Sequence, residues 1–333
     1  MQEVDIVLRW VDPTDDDWIK EKRKYSGSQD NKKNSVSDST DVRYRDWDLL
    51  RFWFRCVENN APWVRKIFFV TYGHIPKWLN TKNEKLRIVK HNEFIPQEWL
   101  PTFSSRTIDF NIHRIKDLSE RYVFFDDDMY VINKTNIEDF FLYGKPRDSK
   151  VYNLITARQE EYVSRNIYND MEIINKYFDK QNDKGVFSLK YGKYLYKNIV
   201  LYPWKYYTGF QDFHIPSSFL KSTLEDLWSR EGDLLSETCK NKFRTSNDLN
   251  QWLIRYWQLS DNNFIPRSCD FGKYVDVSDN ISSIIKIVKS KKYKVICIND
   301  CQVDDFDTRK LSIHKAFQER FSEFSNYEIE SLK

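Results

Sequence analysis

Residues 121–131 read Arg-Tyr-Val-Phe-Phe-Asp-Asp-Asp-Met-Tyr-Val, an apolar run that ends in three adjacent acids. The residues at 122–125 are all apolar or aromatic, and such a short run is typical of a buried strand. In an α/β sheet, the residues that follow a strand lie in the crevice where ligands bind. We therefore expect Asp126, Asp127 and Asp128 at the edge of a binding crevice.

Three adjacent carboxylates repel one another, so they need a cation or solvent to screen their charge. A hard divalent ion that bridges the phosphates of a nucleotide would provide that screening. The alternative is a solvated acidic turn, and the triplet taken alone does not decide between the two. Other parts of the sequence have to decide between a metal site and an acidic turn.

The composition limits the class of protein. A length of 333 residues predicts one large domain or two closely packed domains. The hydrophobic fraction of 40% and the aromatic fraction of 16% are ample for a core. The formal net charge is only +3, which argues against a dedicated nucleic-acid-binding protein.

The cysteines and the apolar segments bear on the compartment. No second Cys/His pair completes a zinc site with Cys297 and Cys301, so reduced thiols in a cytosolic protein are expected. Met1 is followed almost at once by a strand-like run rather than by a leader. No segment reaches the ~18 apolar residues that span a bilayer. We expect a soluble, cytoplasmic protein without a transmembrane segment, which could rest on the inner face of a membrane.

Strand-like and helix-like segments alternate, which predicts a mostly parallel sheet covered by helices. Neither a dinucleotide fingerprint nor a P-loop motif occurs. The predicted strands lie at 4–11, 67–71, 86–89, 122–125, 152–157 and 294–299. The predicted helices lie at 18–24, 46–60, 107–119, 160–180, 221–228, 247–259 and 314–325. The late strand at 294–299 is expected to return to the first sheet.

Two polar segments have possible roles at the surface. Residues 25–41 contain hardly any apolar side chain, so they predict a mobile loop that could act as a lid. Residues 180–198 are basic and rich in tyrosine. A solvated face is the default interpretation of that segment, and contact with an anionic acceptor or a membrane surface is the weaker alternative.

Carboxylates follow three of the predicted strands. Asp12, the triplet at 126–128 and Asp300 each end a buried run. If these strands are neighbours in one parallel sheet, the acids converge on one crevice, as a metal-dependent nucleotide-sugar or phosphoryl-transfer site requires. The alternative is that each acid caps the turn that follows it.

Basic groups are candidates for phosphate contacts, because guanidinium groups match phosphate oxygens. The candidates are Arg43, Arg45, Arg106, Arg114 and Arg244, although most arginines merely solubilise a surface. His214 lies in an aromatic turn at 209–216, where an imidazole could act as a general base. A structural, hydrogen-bonding histidine is an equally good interpretation.

Several blocks, in order along nearly the whole chain, resemble the conserved regions of the Stealth family of sugar-1-phosphate transferases. The first region is Asp-Ile-Val-Leu-Arg-Trp-Val-Asp at 5–12. The second comprises Tyr-Arg-Asp at 44–46, Ala-Pro-Trp-Val-Arg-Lys-Ile-Phe-Phe-Val-Thr at 61–71, blocks at 75–79, 100–105 and 111–120, and Phe-Phe-Asp-Asp-Asp at 124–128. The third is echoed by Asp-Phe-His-Ile-Pro at 212–216 and Lys-Phe-Arg at 242–244, and the fourth by Ile-Cys-Ile-Asn-Asp at 296–300.

The resemblance implies a Rossmann-like, glycosyltransferase-A-type α/β fold with helices on both faces of the sheet and a helical insertion. It implies transfer of N-acetylhexosamine-1-phosphate from a UDP-sugar donor to a saccharide or lipid-linked saccharide acceptor, with release of UMP. The implied metal, Mg²⁺ or Mn²⁺, is held by two of Asp126, Asp127 and Asp128. The implied catalytic residues are Asp12, Arg45, His214, Arg244 and Asp300. The implied substrate-binding residues are Trp10, Asp12, Arg45, Ser105, His113 and Arg114.

Within this scheme His214 is the base, and Asp300 orients it or binds the metal. Arg45 and Arg244 neutralise the charge that develops in the transition state. Residues 1–145 are expected to form the nucleotide-sugar-binding core, 146–290 a mainly helical acceptor region, and 291–333 the return strand and last helix. Two alternatives stay open, a glycosyltransferase that releases UDP and a sugar-binding module without turnover.

The chain departs from the usual family pattern at three places. Leu8-Arg9-Trp10-Val11-Asp12-Pro13 stands where Tyr-Thr-Trp-Val-Asp-Gly is common. Asp126 stands in place of an asparagine, which leaves open which two acids hold the ion. Ser104 also replaces an asparagine, which weakens a substrate contact otherwise expected there.

Overall fold

The computed structural model describes residues 3–26, 45–156 and 162–329. Its strands are β1 Val4–Arg9, β2 Ile67–Thr71, β3 Leu86–Lys90, β4 Arg121–Phe125, β5 Met129–Val131, β6 Phe141–Leu142, β7 Lys145–Asp148, β8 Ser217–Leu220, β9 Ile265–Pro266, β10 Gly272–Asp276 and β11 Val295–Asn299. Its α-helices are α1 Asp16–Ser26, α2 Leu50–Asn60, α3 Ser105–Asn111, α4 Ile137–Phe140, α5 Tyr162–Tyr177, α6 Leu195–Leu201, α7 Lys221–Lys240, α8 Trp252–Ser260, α9 Ile281–Val288 and α10 Phe306–Arg320.

The main sheet has five strands in the order β3-β2-β1-β4-β8. The first four are parallel, and β8 is antiparallel to β4. At the centre, Leu8 of β1 is in register with Phe69 of β2 and Phe125 of β4. The predicted α/β fold with a mostly parallel sheet is therefore confirmed.

Helices cover both faces of this sheet, as the apolar runs of its strands require. Alternate residues of β4 enter two different cores, Val123 and Phe125 one of them and Tyr122 and Phe124 the other. Helices α2, α9 and α10 contribute side chains to the first core, and α3, α5, α7 and α8 contribute to the second. Both faces of the sheet are thus withdrawn from water.

One sequence prediction about the sheet is wrong. The late strand β11 does not join the first sheet but lies in a second one, of order β10-β11-β5. The edge of β4 that faces away from β1 is paired with the short strand β8. The acid triplet connects β4 of the first sheet to β5 of the second, and the amide of Ile298 donates to the carbonyl oxygen of Asp128 at 3.0 Å. The triplet therefore lies at the junction of the two sheets.

Several predicted boundaries differ from the structure. The helix predicted at 107–119 begins at Ser105 and gives way to a 3₁₀ turn after Asn111, and the tail helix predicted at 314–325 is α10 instead. Instead of an edge strand at 152–157, the described residues form a single bridge between Tyr152 and Phe210. Most of the proposed lid at 25–41 lies outside the described residues. The division at 145 and 290 stays a prediction.

Within the described ranges, no helix combines the length and the apolar character needed to cross a membrane.

A buried ion pair ties the last described segment to α2. Arg55 donates from Nε to Glu328 Oε1 at 2.7 Å and from its terminal nitrogen to Oε2 at 2.8 Å. Both residues are buried, and Glu328 also accepts from the amide of Ser325. The pair is fully hydrogen-bonded, so removing one partner leaves the other charge unpaired in the core.

We expect Glu328→Ala to lower the free energy of unfolding by about 3–5 kcal/mol, because the buried Arg55 charge then keeps only carbonyl contacts and no carboxylate. The measurement is urea denaturation at equilibrium. The matched control is Glu319→Ala, whose ion pair with Lys289 is exposed and should contribute less than about 1 kcal/mol. Equal losses in the two variants would contradict a structural role for the buried pair.

Candidate active site

A cavity of about 840 Å³ lies at the junction of the two sheets. The end of β1, the acid triplet after β4 and the residues after β11 all contribute to its lining. This placement follows from the topology, because the carboxyl ends of β1 and β4 are adjacent in the parallel sheet. The predicted site residues that line the cavity are Trp10, Arg45, Ser105, Asp126, Asp127, Asp128, His214, Arg244 and Asp300, and the candidate phosphate contact Arg106 lines it as well.

Three predicted site residues do not contribute to the lining. The carboxylate of Asp12 accepts from the amide and the hydroxyl of Thr14 at 2.8 and 2.7 Å, so it caps the turn after β1. His113 is buried beside Trp228, and burial lowers its pKa to about 3. Arg114 lies over the ring of Trp228 at 4.9 Å and donates to Asn111. These contacts describe structural environments for all three side chains.

Arg9 neutralises the first acid of the triplet. Its Nε donates to Asp126 Oδ1 at 2.8 Å, and its NH1 donates to Asp109 Oδ2 at 3.0 Å. Sequence reasoning did not include Arg9 or Asp109 in the site. A signal was present, however, because Arg9 and Asp126 both occupy positions where the chain departs from the usual family pattern. The two departures form one ion pair, so the unusual acid has its own cation.

The second and third acids of the triplet, Asp127 and Asp128, both have raised pKa values. Desolvation and the charges of Asp128 and Asp126 raise the pKa of Asp127 to about 7, although its side chain is exposed to the open cavity. Burial and the charge of Asp126 raise the pKa of Asp128 to about 6, although His214 opposes the shift. The carboxylates of Asp127 and Asp128 are therefore only partly compensated by nearby positive charge.

The oxygens of Asp128 test whether a metal fits. Its Oδ2 accepts from Cys297 Sγ at 3.3 Å, whereas its Oδ1 is buried without a hydrogen-bond partner among the described residues. A buried carboxylate oxygen without a donor is costly. Ligand atoms of Asp128, His214 and Cys297 also lie within 4.8 Å of one another. Asp128 is therefore the member of the triplet that belongs to a group able to hold a cation, and its unpaired oxygen fits the role of a ligand.

His214 is held beside these acids by Asp212. The amide of His214 donates to Asp212 Oδ1 at 2.8 Å, and Nδ1 lies 3.4 Å from Oδ2. Burial by itself would lower the pKa of His214, but the hydrogen bond and charge of Asp212, together with Asp128 and Asp126, raise it to about 9. In this state the imidazole is a cation near neutral pH. The Asp-x-His spacing was visible in the sequence, but the part played by Asp212 was not recognised.

Asp300 is paired with Arg45 rather than with His214. Arg45 donates from Nε to Asp300 Oδ2 at 3.1 Å and from NH2 to Oδ1 at 2.6 Å. The guanidinium also lies over Phe306 at 4.6 Å and donates to the carbonyl oxygen of Cys301. The carboxylate contact that orients His214 thus comes from Asp212, and Asp300 holds Arg45 at the cavity.

Arg244 enters the cavity from the segment after α7. It donates to the hydroxyl of Ser105 at the start of α3. The neighbouring Arg106, a candidate phosphate ligand in the sequence, instead donates to Asp248, Asn166 and the carbonyl oxygen of Thr245. Arg106 therefore fixes the segment that carries Arg244. Arg43 lies outside the described residues.

Comparison with known proteins places the chain among enzymes of polysaccharide synthesis. Residues 43–148 match the family described as Stealth protein CR2, conserved region 2. The capsular polysaccharide phosphotransferase WcwK of Streptococcus pneumoniae is 43% identical, over 98% of each chain. The exopolysaccharide phosphotransferase cps2G of Lactiplantibacillus plantarum is 34% identical, over 98% of this chain and 96% of its own. These similarities define a transferase. More narrowly, the chain belongs to the Stealth family of polysaccharide phosphotransferases.

Among solved structures, the galactosyltransferase LgtC, in complex with donor and acceptor sugar analogs, overlaps with 97% of this chain and 96% of its own. The sequence identity is 11% and the TM-score is 0.41. An overlap this loose carries no conclusion about the present chain.

Asp128→Asn should weaken the binding of Mn²⁺ to the protein by at least about 100-fold, since loss of outer-shell partners alone typically costs 10–100-fold. Asp126→Asn should change that affinity much less, because Arg9 already occupies its carboxylate. Isothermal titration calorimetry without any nucleotide measures both affinities. Loss of binding in Asp126→Asn with binding retained in Asp128→Asn would contradict the assignment.

Proposed function

We propose that the protein transfers a hexosamine-1-phosphate, N-acetylglucosamine-1-phosphate in particular, from a UDP-sugar to a hydroxyl of an acceptor saccharide. The reaction forms a phosphodiester and releases UMP, in the synthesis of a capsular or other cell-surface polysaccharide. The names of the relatives, capsular and exopolysaccharide phosphotransferases, support this class of reaction. The observation that carries the proposal is that Asp127 and Asp128 share one cavity with Arg45, Arg244 and His214.

The charged side chains of the cavity suit the diphosphate group of a nucleotide sugar. Asp127 and Asp128 would hold Mg²⁺ or Mn²⁺, which when bound neutralises phosphate oxygens and also offsets the carboxylate charge that raises the pKa of His214. Arg244 and Arg45 supply guanidinium groups for the remaining phosphate oxygens. Trp10 and Ser105, which line the same cavity, are proposed to contact the substrate.

In the proposed reaction the acceptor hydroxyl attacks the β-phosphorus. The new bond joins the acceptor oxygen to that phosphorus, and the bond between the β-phosphorus and the oxygen shared with the α-phosphate breaks. UMP leaves with the shared oxygen. The neutral form of His214, held in place by Asp212, accepts the hydroxyl proton, and Arg244 stabilises the charge on the phosphoryl oxygens.

The acceptor and the compartment are part of the proposal. We propose a saccharide or lipid-linked saccharide acceptor and reaction in the cytoplasm, at the inner face of the membrane. For Asp12, His113 and Arg114, a direct substrate contact stays a prediction, because none of them lines the cavity.

The nucleotide product tests the proposal directly. The purified protein is incubated with UDP-N-acetylglucosamine, Mg²⁺ and an oligosaccharide acceptor, and the nucleotides are separated by chromatography. We expect UMP that accumulates in step with a phosphodiester-linked product. Release of UDP would instead identify a glycosyltransferase, and tight donor binding without any product would identify a sugar-binding protein.

We expect Arg244→Ala to lower kcat by about 100–1,000-fold, because electrostatic contacts to a developing charge are typically worth about 3–4 kcal/mol. Arg244→Lys should recover only part of the rate, since lysine keeps the charge but not the planar fork. The control is Arg230→Ala, which removes an exposed guanidinium paired with Asp226. An unchanged kcat in Arg244→Ala, with thermal unfolding like that of the control, would exclude the role.

A further inference from the structure

Residues 184–206 form an apolar and basic surface, called here the 184–206 surface. Leu189 is 86% exposed and Trp204 is 55% exposed, values that are unusual for side chains of this size. The exposed apolar members are Phe187, Leu189, Tyr196, Ile199, Val200, Tyr202, Trp204 and Tyr206. A cluster of exposed apolar side chains of this extent marks an interaction site rather than ordinary surface.

The charge of this surface has a single sign. Lysines lie at 184, 190, 193, 197 and 205, and no acidic residue occurs between Asp183 and Asp212. Four of these lysines are exposed, and the fifth, Lys197, donates to Asn153 and Gln211. The partner must therefore offer apolar volume and negative charge together. A second copy of this surface would bring like charges face to face.

The backbone of the 184–206 surface is held in place by buried polar groups. Lys180 donates to the carbonyl oxygens of Leu201, Tyr202 and Trp204 at 2.6, 3.1 and 2.8 Å. The side chain of Asn198 donates to the carbonyl oxygens of Lys150 and Val186 at 2.8 and 2.6 Å. The outward position of the apolar side chains is therefore a property of the fold.

The surface is adjacent to the segment that carries His214. The ring of Tyr194 packs edge-on against Phe213, with centroids 5.2 Å apart. Lys197 Nζ donates to Gln211 Oε1 at 2.7 Å. A partner bound on the 184–206 surface would therefore lie beside the residues that lead into the candidate catalytic cavity.

We propose that the 184–206 surface docks on an anionic lipid bilayer. Tyrosine and tryptophan are the residues enriched at the boundary between lipid and water, because one part of each ring is apolar and another is polar. The exposed lysines match anionic head groups, which attract basic segments. Only the biological role of this docking rests on the proposed function: a lipid-linked acceptor would be presented next to His214.

The test is co-sedimentation of the full-length protein with vesicles of phosphatidylcholine, with and without about one-third phosphatidylglycerol. We expect binding to the anionic vesicles that weakens as salt is raised. The double variant Lys190→Gln/Lys193→Gln should lose roughly 30-fold in vesicle affinity, from the typical contribution of each basic residue at an anionic surface. Leu189→Ser/Trp204→Ser should also weaken binding, through loss of apolar contact.

Matched controls come from other exposed positions. Leu311→Ser on α10 removes an exposed leucine, and Lys286→Gln on α9 removes an exposed lysine, so neither should change vesicle binding. Native affinity in both double variants, or loss of binding only in the controls, would overturn the proposal. So would a dimer in solution that the Leu189→Ser/Trp204→Ser variant dissociates, because the surface would then bind a second copy.

Vesicle binding is measured without a nucleotide sugar, so it is independent of the transfer reaction. The double variants should keep the UMP release of the native protein with a water-soluble acceptor. If UMP is never formed but lipid binding follows the variants as expected, the docking surface stands and the proposed reaction fails. If UMP is formed and lipid binding does not depend on this surface, the proposed reaction stands and the docking surface fails.

Discussion

The contact on which the candidate site depends is the guanidinium of Arg9 between Asp126 and Asp109. Arg9 is the last residue of β1, Asp126 follows β4, and Asp109 lies in α3, so one side chain connects three elements. Without this cation, Asp126 would add a third unscreened charge to a pair whose pKa values are already raised. Burial and the charge of Asp126 hold the pKa of Asp109 at about 7 even with Arg9 beside it.

The triplet also connects two sheets, which explains why the functional groups come from distant parts of the chain. Strand β5 leaves the triplet to pair with β11, and β11 positions Asp300, which binds Arg45 from the segment before α2. Strand β8 completes the edge of β4, and the turn before it carries His214. The site is therefore assembled by strand pairing, with arginine–carboxylate contacts that set the final positions of the side chains.

The sequence predicts those parts of the structure whose burial is complete. Strands β1, β2 and β4 are mostly apolar because both faces of the sheet are covered. The position of Asp126 then follows from the end of β4. The short strand β8 is not predicted, because the four residues Ser217–Leu220 are too few to show a strand-like hydrophobic pattern. The pairing of β8 with β4 then excludes β11 from the first sheet. The role of Arg9 is not predicted either, because only the register of β1 and β4 places it beside Asp126. Asp12 shows that the end of a strand does not by itself define a role, since its carboxylate accepts from Thr14 in the turn after β1 while its part in the site stays a prediction.

The order of strands in the main sheet has a consequence for synthesis of the protein. Strand β1 is central, but both of its neighbours, β2 and β4, are translated long after it, and the edge strand β8 later still. One edge of β1 can pair with β2 once residue 71 has been made, but the other edge stays unpaired until residue 125 of 333. Such non-local parallel pairing is slow, and an exposed strand edge is prone to association. Expression at low temperature or with chaperones should favour the native pairing over aggregation.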